Sequence, residues 1–393
     1  MNKLRVFFAG IWQPLLTAIC GAGVAIFVLG YKLGSMTPGY SAAELASLQG
    51  VGSLRAIAEN PLFLPFKLGE YIVIKLGVDL PVVVRGVSAL IGFFCVWGFY
   101  LLLKRWHTRR IAILGTLMFL CSTWFLATAR SATPSVLYIF NILSIIFIGA
   151  LVHQKKASKT SLLLAAICAA LLVYSPGMIW LLAIGVLWQF KGIVSLLKQN
   201  PVWLWLGASI IFGLLLVPAI YATYHNPRFI LDVLAIPKVI VPIEMAKRVV
   251  LVPAQLFVRG PEGSYWLARL PFMDLFSGAM FAVGFYNYYL RFKLSRTQFL
   301  IWLSVVLIVL IAVLSVPTVT MLPIVYVIIA AGITLLLQQW FTVFPLNPLA
   351  RNLGFAVMVL AVLASSWFQA SRYFIAWRYN SVTQSTYTHT LRQ

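Results

Sequence analysis

Eleven continuous apolar runs punctuate the chain, near residues 11–32, 84–103, 111–129, 136–153, 161–174, 177–190, 202–222, 275–290, 299–316, 322–339 and 353–371. Within them the apolar residues do not alternate with polar ones, so the runs predict helices and not barrel strands. Most reach the roughly 20 residues that a helix needs to cross hydrocarbon. Only helices and closed barrels can span a membrane with their own backbone groups satisfied. The pattern predicts an all-α polytopic membrane protein of about eleven transmembrane helices, a single integral membrane domain over residues 1–393. The fifth and sixth runs are short and flank Tyr174-Ser175-Pro176-Gly177, which predicts a tight helical hairpin.

Two connections are long, residues 33–81 and 223–274. Loops of that length in a compact protein are usually functional or carry structure of their own. In the first, Leu45, Leu48, Val51 and Leu54 recur every third residue, and Arg55 and Glu59 are spaced as an i,i+4 pair. This predicts one amphipathic helix lying in the membrane interface and ending at Asn60-Pro61. A second apolar stretch, 62–76, carries Lys67, Glu70 and Lys75 and also reads as interfacial. The second loop is cut by Pro227, Pro237, Pro242, Pro253 and Pro261, so it cannot be one helix. Its segment 240–258 is too charged to span and reads as interfacial.

Composition agrees with the pattern: of 393 residues, 62% are hydrophobic and 10% charged, and the mean hydropathy is +0.96. No cleavage signal follows the first apolar run, which reads as a span and not a leader. Cys20, Cys95, Cys121 and Cys168 all fall inside predicted spans and read as small buried apolar residues, not as metal ligands or disulfides. The net charge of +22 does not point to nucleic acid, because the basic residues are scattered over many short loops. They read as topogenic charge that also attracts anionic lipid head groups.

The charges segregate by face. Half of the 30 basic residues crowd into short connections, among them Lys104, Arg105, Arg109, Arg110, Arg291, Lys293 and Arg296. By the positive-inside rule that face is cytoplasmic, with the N-terminus inside, the C-terminus outside and the plasma membrane as the location. The other face holds all 8 carboxylates: Glu44, Glu59, Glu70, Asp79, Asp232, Glu244, Glu262 and Asp274. Any acid–base chemistry by a carboxylate belongs to that outer face. The last four read as solvated loop charges. His107 and His153 lie by cytoplasmic loops, while His225 and His389 are lone outer histidines, so no metal is predicted.

Several segments in order carry a family likeness: PGYSAAELAS, then NPLFLPFKLGEYIVIKLG, VVVRGVSALIGFFCVWGFYLLLKRW, TARSATPSVLY, LLVYSPGMIWLL and YWLARLP. Together with the topology they resemble the GT-C glycosyltransferases, whose members include protein O-mannosyltransferases and lipid A aminoarabinose transferases. The resemblance covers most of the chain and implies transfer of a hexose or pentose from a polyprenyl-phosphate donor. The acceptor would be a glycolipid, a cell-wall polymer or a protein outside the membrane, with the lipid-linked sugar as donor substrate and no cofactor. In that family the first outer loop carries a catalytic acid, often an Asp-Glu pair; Glu44 matches the second acid, and Ala43 stands at the first position. Many relatives also have an acid after the arginine of the third span, where this chain has Ser131-Ala132-Thr133-Pro134-Ser135. These departures also fit a non-catalytic subunit that binds lipid-linked sugars.

Such a transfer needs a carboxylate to take the acceptor's proton and cations where negative charge develops on the leaving phosphate. Glu44 is the candidate base. The alternative is structural: Ser41-Ala42-Ala43-Glu44 is a capping box, in which Glu44 reaches back to the Ser41 amide. Candidate phosphate ligands are Arg130, Arg85, Lys67, Arg269 and Arg259; for the first two, snorkelling to the interface is the alternative. Tyr40, Tyr265 and Trp266 are candidates to line the acceptor or sugar site, and the last two also read as an aromatic anchor. A transporter is disfavoured because the span interiors carry no carboxylate.

Overall fold

The computed structural model describes residues 2–77, 80–154, 158–237, 241–258, 260, 270–314 and 316–389. In chain order the helices are α1 (Asn2–Gly30), α2 (Ala42–Gln49), α3 (Leu54–Glu59), α4 (Leu64–Lys75), α5 (Pro81–Trp106), α6 (Arg109–Cys121), α7 (Thr123–Ala129), α8 (Val136–Gln154), α9 (Lys159–Val173) and α10 (Met178–Trp188). They continue as α11 (Phe190–Gln199), α12 (Val202–His225), α13 (Phe229–Leu234), α14 (Pro242–Phe257), α15 (Leu275–Leu290), α16 (Ser295–Leu314), α17 (Leu322–Val343), α18 (Pro348–Ser371) and α19 (Ser381–Thr386). A π-helical turn, Arg372–Trp377, extends α18. Among the described residues the one β-type contact is an isolated antiparallel bridge between Tyr40 and His389.

The described parts of the apolar runs are helical, although the run 111–129 is divided between α6 and α7 and the run 177–190 reaches from α10 into α11, and the chain is an all-α polytopic membrane protein. Length and composition support a smaller number of crossings. Among the described residues five helical segments suffice alone, and up to seven if the bent pairs α6–α7 (63°) and α10–α11 (72°) each count as one span. The described part of α1, with α8 and α9, is apolar but shorter. The outside of the bundle is as apolar as its inside. On α12, Val202, Leu206, Ile210, Leu214, Val217 and Ile220 are all exposed and follow the helical repeat, which only a hydrocarbon solvent makes favourable.

The bundle is organised around α17, which packs against α5, α6, α8, α15 and α18. Its Tyr326 meets Phe119 and Phe272 edge-on, and Phe119 stacks on Phe99 at 4.4 Å. The tightest contact is between α15 and α17, which cross at Gly284 and Gly332. There the backbones touch: a Cβ on Gly332 would collide with the Met280 carbonyl, and one on Gly284 with that of Ile328. Membrane helices associate through such small-residue contacts because hydrocarbon offers no hydrophobic drive to pair them.

The first long loop departs from the single interfacial helix that the periodicity predicts. It breaks into α2 and α3, because Gly50 ends the first and Ser53 caps the second, its Oγ accepting from Ala56 N at 3.1 Å. Val51, in the break, is completely buried, so the apolar row keeps its inward face while the helix does not continue. Arg55 and Glu59 pair as expected, at 3.0 Å, and Asn60 ends the helix. In the second loop the described residues form α13 and α14, and α14 runs through Pro253 along α16.

The Tyr174–Gly177 hairpin joins the two loops. Phe63 N donates to Tyr174 O (2.7 Å) and Gly177 N, at a left-handed φ of +77°, donates to Val233 O (2.9 Å). The bridge at Tyr40–His389 (2.8 and 3.2 Å) brings the C-terminal tail onto the same face, here the loop face. We expect Gly332→Leu to destabilise the bundle by upwards of about 3 kcal/mol, the high end for overpacking. Thermal unfolding of the purified chain measures this, against Gly213→Ala on α12, whose Cβ meets nothing and which should stabilise by up to about 1 kcal/mol through helix propensity.

Candidate active site

Glu44 begins where its sequence context predicts. Ser41 caps α2 with its Oγ accepting from Glu44 N (3.2 Å), and Glu44 Oε2 accepts from Ser41 N (3.0 Å). The capping box is thus present, and the fold adds three further bonds. Arg85, just past the first turn of α5, donates from Nε to Oε1 (2.9 Å) and from Nη2 to Oε2 (3.1 Å). The Ala132 amide donates to Oε1 at 2.9 Å. A carboxylate offers about four lone-pair sites, and here four donors fill them. Glu44 is 0% exposed and Arg85 3%. A buried pair this well bonded is tolerated, but removing one member leaves an uncompensated charge, at a cost of about 3–5 kcal/mol.

Arg85 is equally committed. Its Nη2 also donates to Gly39 O (2.8 Å) and its Nη1 to Leu33 O (3.4 Å), and it lies between the rings of Tyr40 and Tyr387 at 5.5 and 5.8 Å. Arg130, at the C-cap of α7, reaches the last carbonyls of α1. Nη1 donates to Val28 O (2.6 Å) and Leu29 O (3.0 Å), and Nη2 to Tyr31 O (2.6 Å). Those carbonyls lack helical partners, which a cation at a helix C-terminus supplies. Arg130 therefore does not snorkel: it is 3% exposed and covered by Phe374 at 4.8 Å. Its Nε has no partner among the described residues.

Glu44, Arg85, Arg130 and Ser131 line one cleft with Tyr373, Trp377 and Tyr387. Its volume is about 10 Å³, no more than a single water requires. Beside it, between α1, α6 and α18, runs a groove of about 650 Å³. Phe27, Leu363 and Trp367, 66%, 48% and 75% exposed, open it toward the outside of the bundle. Val28, Tyr31, Met36 and Phe374 line the groove and also contact Arg130, so they form the wall between groove and guanidinium. Lys32 and Arg378 line it as well.

The fold thus brings Glu44, Arg85, Arg130 and Tyr40 together. It leaves Lys67 out of the cleft: on α4, its Nζ donates to Asn60 O at 2.7 Å. Arg259, Arg269, Tyr265 and Trp266 lie outside the described residues, as do Asp79 and Glu262. Asp274 is not the solvated loop charge that its position suggested. Its carboxylate accepts from Ser365 Oγ (2.9 Å) and Gln369 Nε2 (3.2 Å) on α18 and from Ser277. Among the described residues no three His, Cys, Asp or Glu side chains gather as a cation site would need.

The linear sequence also did not single out three residues. Lys32 and Arg378 stand far apart in sequence, and only the packing of the tail on α1 brings them to one groove. Glu70 was legible: Phe66, Glu70 and Ile74 recur every fourth residue, which puts a carboxylate on an apolar helix face. In the structure Glu70 is completely buried, its Oε2 accepting from Ser47 Oγ (3.2 Å) and its Oε1 without a partner among the described residues. Burial pushes its carboxyl up to about 8, and the charge of Glu44 acts the same way, against the Ser47 hydrogen bond and the Lys67 charge. Burial also lowers the Lys67 ammonium, with Glu70 opposing.

No family model and no curated protein matches the sequence. A solved structure does resemble the fold: ArnT from Cupriavidus metallidurans in the apo state, at 14% identity and a TM-score of 0.50, covering 96% of this chain and 76% of that one. At this identity the likeness is one of fold. The chain is a multi-pass helical membrane protein whose fold is like that of ArnT.

Glu70 makes stability depend on pH. Its native carboxyl titrates near 8, above its unfolded value near 4.5. The unfolded chain therefore releases this proton first, and stability falls as pH rises between those values. Glu70→Gln should raise the thermal midpoint at pH 8 relative to wild type and leave the two proteins close at pH 4.5. Parallel melting curves across that range measure it.

Proposed function

We propose that this protein is a glycosyltransferase that moves a sugar from a polyprenyl-phosphate donor to an acceptor at the outer face of the membrane. The observation that carries the reading is the juxtaposition of a buried carboxylate, two arginines and a lipid-sized apolar groove on one face of a GT-C-like bundle. The donor's chain lies in the groove, and Lys32 and Arg378 draw its phosphate to the mouth. Arg130 and Arg85 then hold the charge that develops on the leaving phosphate, as guanidinium forks do.

Glu44 is the base, under one condition set by its bonding. With four donors on its oxygens it has no free site for a proton. Of the four, Arg85 has an alternative anionic partner in the donor phosphate. Its transfer to that phosphate frees an oxygen of Glu44 beside the incoming acceptor. The acceptor hydroxyl then gives its proton to Glu44 as its oxygen bonds to the anomeric carbon. The bond from that carbon to the phosphate oxygen breaks, and its electron pair leaves with the lipid phosphate. A base that is released only when donor arrives protects the lipid-linked sugar from water.

The saturated bonding of Glu44 favours a second reading, in which the pair is structural and the chain binds lipid-linked sugars without consuming them. Donor consumption by the purified chain in nanodiscs, with polyprenyl-phosphate hexoses and pentoses, separates the two. Under the first reading Glu44→Gln lowers turnover by about 10²–10⁴-fold. Lys32→Ala with Arg378→Ala, outside the buried pair, raises KM for donor about tenfold or more and changes kcat little. Turnover that survives Glu44→Gln excludes the base; absence of turnover in wild type with every donor establishes the binding role.

A further inference from the structure

On the face opposite Glu44, a pocket of about 210 Å³ opens between the end of α5 (Arg105, Trp106), α8 (Gly149, Ala150), Gln189 and the first turn of α16 (Arg296, Phe299). Its two charges are both positive. The Arg296 guanidinium lies over the Trp106 ring at 5.2 Å and near the Tyr288 ring at 6.0 Å, and Arg105 lies over Phe147 at 5.6 Å. No carboxylate answers them: among the described residues the ion pairs are Arg55–Glu59 and Arg85–Glu44, both on the loop face. The first turn of α16 carries no acid either, although a helix N-terminus favours negative charge.

The polar groups around Arg296 are also unsatisfied. Arg296 Nε, Tyr288 Oη and His107 Nε2 are buried and have no partner among the described residues. His107 uses its other nitrogen on Thr334 Oγ1 at 2.8 Å. Its imidazole is pushed down to about 4, by burial first and then by the charges of Arg296 and Arg291, so it stays neutral and adds no counter-charge. Buried polar atoms are normally hydrogen-bonded, and arginines stacked on aromatic rings keep their N–H edges free for an oxyanion. General topogenic charge explains a basic face, but not a concave site at which the Arg296 Nε donor is buried and unpaired among the described residues.

We propose that this pocket is a phosphate-binding site, with Arg105 and Arg296 contacting the phosphate oxygens and Trp106 and Phe299 walling its ester substituent. The occupant is the head group of an anionic glycerophospholipid. The pocket lies at the helix ends, its walls are partly apolar, and Arg105 is exposed beside a bundle surface built for hydrocarbon. It takes no part in the sugar transfer proposed above.

Native mass spectrometry of the intact chain tests this with three probes: phosphatidylglycerol, diacylglycerol and inorganic phosphate. The expected result is retention of phosphatidylglycerol over diacylglycerol, weakened about tenfold or more in Arg105→Gln/Arg296→Gln. Arg105→Gln alone, at an exposed position, should give an intermediate loss in a chain that still melts like wild type. Arg291→Gln, on the same face but outside the pocket, should change nothing. If millimolar inorganic phosphate displaces the lipid from wild type and not from the double variant, the site takes the phosphate group from a soluble source. Equal retention of both lipids, an unaltered double variant, or an equal loss in Arg291→Gln overturns the proposal.

Discussion

The Glu44–Arg85 pair is the constraint on which the loop face depends. Two opposite charges withdrawn from water are tolerated only if every remaining lone pair and N–H finds a partner. Here those partners come from distant parts of the chain: the start of α2, the N-terminal part of α5, the Ala132 amide beyond α7, and the carbonyls of Leu33 and Gly39. Each is thereby held in position. The C-terminal tail joins the arrangement through the Tyr40–His389 bridge and the Tyr387 ring over Arg85. A single pair of side chains therefore connects the first loop, two spans and the tail, and loosening it frees all of them together.

Arg130 repeats the device without an acid. By donating to three carbonyls near the end of α1 it joins α7 to the first helix and stands behind the wall of the apolar groove. Site and groove are then separated by the carbonyls at the end of α1 and by the side chains of Met36 and Phe374. In the proposed transfer this makes an arginine's choice of anion the coupling between donor arrival and release of the base. The closed cleft is the state in which the carboxylate is fully bonded and nothing else fits.

The two faces of the bundle solve opposite electrostatic problems. The loop face buries carboxylates and neutralises them with arginine, amide and serine donors, except at Glu70, where the shortfall appears as a raised carboxyl. Among the described residues the arginines of the opposite face meet no carboxylate, so aromatic rings cover them and a phosphate from outside the chain is the proposed counter-charge. Both sites lie near the ends of spanning helices, where charge costs less than in the apolar bundle between them.

The helical class, the hairpin at Tyr174–Gly177 and the capping box at Ser41–Glu44 were legible in the residues alone. These are consequences of runs, turn residues and near-neighbour spacing, all of which act over a few residues. The break between α2 and α3 was written in Gly50 and Ser53, but the apolar row running through it masked the signal. It took the packed fold to close Arg85, 41 residues further along the chain, on Glu44, to hold Asp274 against α18, and to set Lys32 and Arg378 in one groove. Periodicity states which face of a helix is apolar but not which partner it meets. A hydrocarbon solvent sharpens that limit, because lipid-facing and protein-facing sides are apolar alike.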